Sequence, residues 1–363
     1  MKKVLFVLFE EFGKILDGGD QCNKRNLNVL QSLCGENNID IIYLRKNGRT
    51  TVKELFAFVL YHRKGYYRAV TPNVVDNICN IAKNYDCVFL SSSLFGKIAE
   101  GLRLSGYNGK IIIQFHNVET IYYETVLSKH LPLRRSLIRC ISENEKLACS
   151  MADVRIALNS RDAQELNQIS NNKVDYIIPI TLADKCKENH PDKQIMTNNK
   201  PLVVFIGSNF PPNANGVLWF VEKVFPYVDI NLVIVGKDMD LLKEKNSVLQ
   251  KIDVRSNVPD LSEYFENADI IISPIFSGSG MKVKTCESLM YGKNILGSTE
   301  AFEGYDVDPM RVGCVANTPE EYIAYINKIC RNPIPRFNEY SRRIYLEKYS
   351  NDSVEIIFKE ILS

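Results

Sequence analysis

The 363-residue sequence predicts an α/β protein made of two similar halves, each a series of short strands alternating with helices. Three observations lead there. Apolar runs, "KVLFVLF" at 3–9 and "LVVFIG" at 202–207, each lead through a loop of small residues into a helical pattern. Residues 268–298 run strand, glycine loop, helix, strand. A chain of 363 residues can build two domains with a core each, and 45% hydrophobic with 24% charged residues is ordinary for a globular protein.

Within 268–298, the run Ile270–Ile275 is short enough for a buried strand, interrupted at Pro274 and ended by Ser277, Gly278, Ser279 and Gly280. Val283, Cys286, Leu289 and Met290 then recur at helical steps, Gly292 supplies a left-handed stop, and a strand follows at Asn294–Ser298. The first amides of such a helix are unpaired and carry the positive end of its dipole, which suits an anion. Lys282 and Lys284 add cations, as a diphosphate requires, and Glu287 can accept hydrogen bonds from a ribose. A buried strand–helix unit with a solvated lysine face would read the same way.

Composition narrows the classes. No apolar run is long enough to span a bilayer, and "MKKVLFVLFEEF" reads as a first core strand because Glu10 and Glu11 cut the signal-like run short. Ten cysteines, none closer than Cys79 and Cys87, fit reduced thiols packed as small hydrophobes and a cytoplasmic protein. Four scattered histidines suggest no metal cluster. Residues 1–180 hold 24 Lys and Arg against 18 Asp and Glu, whereas residues 181–363 hold 21 against 25. The basic half is expected to face an anionic partner.

In chain order, the strand at 3–9 is followed by a loop with Asp17, Gly18 and Gly19, a helix over 22–34 and a strand over 39–44. Residues 45–70 hold seven basic residues, one acid and a cluster of aromatic and aliphatic side chains. That mixture suits an element lying in a membrane interface, with a packed helix bearing a solvated basic face as the alternative. Residues 129–139, with Lys129, Arg134, Arg135 and Arg139 and no acid, form a second basic stretch. Strands at 86–91 and 110–115 follow, and the second ends in "FHNVET". His116 thus stands at a strand's carboxyl end, where open parallel sheets bind ligands, although a lone histidine there also serves as a cap or core residue. A zinc site of His116 with Glu119 lacks a third ligand. A helix over 141–150, a strand over 153–158, a helix capped by Ser160 and a strand over 176–178 close the first half.

Residues 183–200 are polar and read as a linker, with His190 in solvated loop. The second half has strands over 202–207, 230–236 and 312–316 and a last helix over about 342–362. Asp238 and Asp240 form a D-x-D that opens a helical pattern, where acids suit the dipole better than they suggest a metal.

The glycine loop, Lys282, the Glu287 helix and the strand after it resemble, in that order, the nucleotide-binding signature of the retaining family 4 glycosyltransferases. Glu287 matches the second acid of the family's two-glutamate motif, and Ser279 stands where the first would fall, as in the family's glycine-rich variants. "HNVE", "GSNFPPNANGVLWFVEKVFP" and "VPDLSEYFENADIIISP" also resemble family segments; the likeness is strong over 201–305 and loose before 160.

The resemblance implies a GT-B fold, two Rossmann-like domains facing each other across a cleft. Residues 1–183 would bind acceptor, 184–200 link, 201–341 bind nucleotide-sugar, and 342–363 form a terminal helix crossing back. It implies transfer of a sugar, with retention, from a nucleotide-diphosphate sugar to an acceptor hydroxyl, in polysaccharide or glycoconjugate assembly on a lipid-linked acceptor. Lys282 and the amides of 280–283 would stabilise the leaving diphosphate, Glu287 would hold the ribose and His116 would orient the sugar. Gly18, Gly19, Gly207, Ser208, Val258, Ser279, Gly280, Met281, Val283 and Lys284 are the expected donor contacts, and Asn117 and Glu119 lie on the acceptor side. The loop "SNFPPNANG" lacks the Arg or Lys of many relatives, so Lys282 is expected to carry more of that charge.

No metal, no cofactor and no nucleic-acid partner is expected. Residues 45–70 and 129–139 are expected to meet an anionic membrane, making the protein peripheral on its inner face. A nucleotide-sugar epimerase of the same fold would leave the basic stretches unexplained. A dinucleotide-dependent oxidoreductase lacks its G-x-G-x-x-G. A degenerate, membrane-bound scaffold is opposed by Lys282 and Glu287.

Overall fold

The computed structural model describes residues 2–13, 18–45, 60–131, 133–186, 200–244, 246–278 and 280–363. The chain divides into two compact units, Met1–Pro179 with Val354–Ser363, and Ile180–Ser353.

In the first unit, strands β1 (Val4–Glu10), β2 (Ile39–Arg45), β3 (Cys87–Leu90), β4 (Lys110–Phe115), β5 (Val154–Ala157) and β6 (Tyr176–Ile177) form a parallel sheet ordered β2-β1-β3-β4-β5-β6. Its helices are α1 (Gly18–Cys34), α2 (Pro72–Ala82), α3 (Gly96–Leu104), α4 (Glu119–Val126), α5 (Arg134–Met151) and α6 (Ser160–Ser170). Side chains alternate across the sheet. Val4, Phe6 and Leu8 pack with Leu27 and Leu30 of α1 and with Phe358 and Ile361 near the chain's end. Leu5 and Val7 pack on the other side with Ile78 of α2, Ile98 of α3, Ala148 of α5 and Leu166 of α6.

Three local readings change. Gly18 and Gly19 are the first residues of α1, not part of a loop before it. Helix α5 begins at Arg134, so the second basic stretch is largely helical. Asn159, not Ser160, caps α6: its Oδ1 accepts the amide of Asp162 at 2.8 Å.

The second unit repeats the plan with β7 (Leu202–Ile206), β8 (Asn231–Gly236), β9 (Asp253–Ser256), β10 (Ile270–Ser273), β11 (Asn294–Gly297) and β12 (Gly313–Val315), ordered β12-β11-β10-β7-β8-β9 and all parallel. Helices α7 (Pro211–Lys223), α8 (Ser262–Asn267), α9 (Val283–Met290), α10 (Pro309–Val312), α11 (Pro319–Arg331) and α12 (Glu339–Ile344) accompany it. Helix α7 lies so close to the chain leaving β10 that a Cβ on Gly216 would stand 1.9 Å from the carbonyl oxygen of Pro274. The strand order reverses between β1 and β3 in the first sheet and between β7 and β10 in the second. Such points leave a crevice at the carboxyl ends of the strands.

The unit boundary falls at 179/180, ahead of the expected linker, because Leu182 is already held by the second unit. Its amide donates to Tyr349 O at 3.0 Å, and its carbonyl accepts from the Tyr345 hydroxyl at 2.8 Å. Residues 187–199 of that linker lie outside the described residues. The expected last helix is broken: α12 is followed by a π turn at Tyr345–Tyr349, a 3-10 turn at Asn351–Val354 and α13 (Glu355–Leu362). Burial explains the break. Tyr345 and Tyr349 are bonded within the second unit, whereas Phe358 and Ile361 fill the first unit's core.

Candidate functional site

In the second unit Gly207, Ser208 and the residues from Gly280 to Lys284 follow β7 and β10, at the β7/β10 switch point, whereas Val258 follows the edge strand β9. After β10 the chain turns through Gly278 (φ +143°) and Gly280 (φ +67°), conformations that favour glycine. Ser279 lies outside the described residues. Lys282 then precedes the first helical residue, Val283. Its ammonium donates to Gly280 O at 2.8 Å and to the carboxylate of Glu300. The Met281 side chain is turned inward, its Sδ accepting the Ile180 amide at 3.5 Å, so only its backbone is placed to meet a ligand.

Lys284 corrects the expectation that the Gly207–Ser208 loop has no cation. Its side chain runs from α9 to that loop, where Nζ donates to Asn213 Oδ1 at 2.7 Å and lies 4.3 Å from the centre of the Phe205 ring. A Cβ on Gly207 would come within 2.9 Å of that Nζ, so the lysine end lies directly over the glycine. Asn213 also donates from Nδ2 to Ser208 O at 3.0 Å, tying loop and lysine together. Asn213 and Glu300 were not among the expected site residues; Asn213 is visible in the sequence only as the Asn of "PPN", and Glu300 carries no motif signal.

Burial pushes the Lys284 amine down to about 7, a fall opposed by Glu287 and aided by Lys282. It pushes Glu287 up to about 7 against the pull of Lys185 and Lys284. Val258 follows β9 beside Asn257, whose Oδ1 accepts the Asp238 amide at 3.2 Å. The two acids of the D-x-D are engaged locally, Asp238 by the side chain of Asn257 and Asp240 by the hydroxyl of Ser256.

In the first unit His116 sits just past β4, one strand over from the β1/β3 switch point. Its Nε2 is 3.0 Å from Asn23 Oδ1 on α1 and 3.0 Å from Ser91 O after β3. Gly18 and Gly19 are in the first turn of the same α1. The segment after His116 is held by Glu145 of α5. Its carboxylate accepts the amides of Glu119 (2.6 Å) and Thr120 (3.3 Å) and the Thr120 hydroxyl (2.7 Å). Glu119 is buried; burial, and then the nearby Glu145, push its carboxyl up to about 8, while a hydrogen bond from Asn117 pulls it down.

The basic stretch at 45–70 is only partly available to a membrane. Residues 46–59 lie outside the described residues. Arg45 is buried in an ion pair with Glu10 at 3.0 Å, and Tyr67 is buried with its hydroxyl 3.0 Å from that of Tyr123. Leu60, Arg63, Lys64 and Arg68 are exposed. In the second stretch Arg134 is spent on the carbonyls of Glu124 and Leu127, and Arg139 pairs with Glu143. Among the described residues no helix is long and apolar enough to cross a membrane.

Two lysines, a glycine turn and the start of a helix thus lie together at one sheet's switch point, with Glu287 on the same helix, and helix starts of this kind suit anions. Residues 200–332 match the family described as Glycosyl transferases group 1. Over 306 residues the chain is 24% identical to an uncharacterized 44.6 kDa protein in the cps region of Klebsiella pneumoniae, a match spanning 77% of this chain and 74% of that one.

Among solved structures the chain is similar to HepE of Anabaena in complex with UDP and glucose. The TM-score is 0.70 at 11% identity, over 100% of this chain and 99% of that one. It is also similar to sucrose-phosphate synthase of Thermosynechococcus elongatus, at TM-score 0.72 and 13% identity over 99% and 98% of the two chains. A third likeness is to the lipopolysaccharide outer core galactosyltransferase WaaB, at TM-score 0.66 and 13% identity over 98% and 99%. With two parallel six-stranded sheets, the chain has the α/β fold of the GT-B glycosyltransferases.

Proposed function

We propose that the protein transfers a sugar, with retention, from a nucleotide-diphosphate sugar to an acceptor hydroxyl, in the assembly of a cell-surface polysaccharide or glycoconjugate on a lipid-linked acceptor. The observation that carries this reading is the meeting of Lys282, Lys284 and the Gly207 loop beside the start of α9. Negative charge grows on the diphosphate as the bond to the sugar breaks, so cations and amides fixed there act more strongly in the transition state than before it. A diphosphate would also raise the lowered pKa of Lys284 and hold it as a cation.

In this reading Glu287 receives the ribose, His116 orients the sugar, and Asn117 and Glu119 belong to the acceptor. The family match over 200–332, a fold shared with a protein solved with UDP and glucose, and a relative from a cps region support it. Retention rests on the resemblance of the glycine-loop segment to family 4.

A thermal-shift screen with UDP, GDP, ADP and their sugars tests the donor site, since a ligand that binds only the folded state at a hundred times its Kd adds about 2.7 kcal/mol. Lys282→Ala and Glu287→Ala are expected to abolish the shift; full activity in both variants would overturn the assignment. The lipid-linked acceptor makes a separate demand. Deleting residues 51–68 is expected to release the protein from anionic vesicles, and unchanged binding would remove the membrane from this proposal.

A further inference from the structure

Lys282 is held more closely than a simple phosphate-binding lysine needs to be. Its ammonium is shared between Gly280 O and the Glu300 carboxylate, with side chains only 10% and 19% exposed. Glu300 lies in the turn Thr299–Phe302 after β11, and that turn is tied down on several sides. Ser298 Oγ accepts the Ala301 amide at 3.2 Å, Thr285 of α9 donates its hydroxyl to Ala301 O at 2.7 Å, and the Thr299 amide donates to Asn317 at 3.0 Å. Tyr305 fixes the lysine's own backbone, donating to Lys282 O at 2.8 Å. The ion pair borders the glycine turn: a Cβ on Gly278 would stand 3.9 Å from both Glu300 Oε1 and Lys282 Nζ.

A carboxylate in that place has two effects of opposite sign. It keeps the ammonium over the turn, and its charge opposes any diphosphate the ammonium attracts. Two cations without that opposition would hold the departing nucleoside diphosphate as firmly as they stabilise its formation, and product release often limits turnover.

We infer that Glu300 is a positioning residue for Lys282 that also sets how readily the nucleoside diphosphate leaves. This rests on the donor-site reading above. Glu300→Gln keeps the size and an oxygen acceptor for Lys282 while removing the charge. Wild type, Glu300→Gln and Lys282→Ala are titrated calorimetrically with UDP, GDP and ADP and with the matching nucleosides, and dissociation is followed by stopped flow.

The diphosphate that wild type binds is expected to bind the Glu300→Gln protein about tenfold more tightly, with slower dissociation. The nucleoside is expected to bind both alike, and Lys282→Ala to bind the diphosphate more weakly than wild type. An ion pair with a merely structural role would lower the melting temperature without a gain confined to diphosphates. Unchanged or weaker diphosphate binding by Glu300→Gln overturns the role of Glu300 and leaves the donor site standing. Failure of wild type to bind any of the three diphosphates overturns both. Glu300→Ser, read by the same measurements, decides the matter if the glutamine protein does not fold.

Discussion

Lys284 and Glu287, three residues apart on α9, show how one buried helix face sets the chemistry of two groups at once. Burial lowers the amine and raises the carboxyl until both lie near 7, each opposed by the other's charge. For binding the sign is simple. Only the protonated amine attracts a diphosphate, so affinity is expected to fall as pH rises through about 7 and beyond. Calorimetric titration with the bound nucleoside diphosphate between pH 6 and 9 measures this. Lys284→Met is expected to bind about tenfold more weakly at pH 6 and to lose most of that slope. A slope unchanged in the methionine variant would assign the titration elsewhere.

At the scale of elements, the segment that carries His116 depends on a carboxylate from another helix. Glu145 of α5 takes up two amides and a hydroxyl at the start of α4, where Val118, the residue before the helix, offers no side-chain cap. Removing a partner that satisfies several buried donors is costlier than removing a surface contact. Glu145→Ala is therefore expected to cost about 3 kcal/mol in chemical denaturation. It is also expected to lower sugar transfer more than nucleotide binding, since the donor-binding residues of the second unit are untouched. Equal losses in both would show that α4 has no part in placing the sugar.

At the scale of the molecule, residues 354–363 belong to the same compact unit as residues 1–179. Phe358 and Ile361 of α13 are buried with Leu27 and Leu30 of α1 and with Phe6 of β1. Phe358→Ala is expected to remove about 3 to 5 kcal/mol from the first unit. In scanning calorimetry with saturating nucleoside diphosphate, the loss is expected in the transition of the first unit, with the ligand-dependent transition of the second preserved. A uniform fall of both transitions would mean that the units melt together.

The α/β class and the alternation of elements follow from sequence alone, because buried parallel strands need short apolar runs and helices need a 3.6-residue period, both local properties. That Lys282 and Glu287 lie on one glycine-loop and helix segment was legible for the same reason: loop, cation and acid are contiguous in the chain. What joins residues far apart in sequence was not legible. Lys284 reaches the Gly207 loop across 77 positions of numbering, Asn213 bridges the two, and Glu300 meets Lys282 from the turn after the next strand. The unit boundary at 179/180 and the break at Tyr345 were hidden as well, because each depends on which core an apolar side chain enters. Periodicity says that a side chain is buried; only packing decides against what.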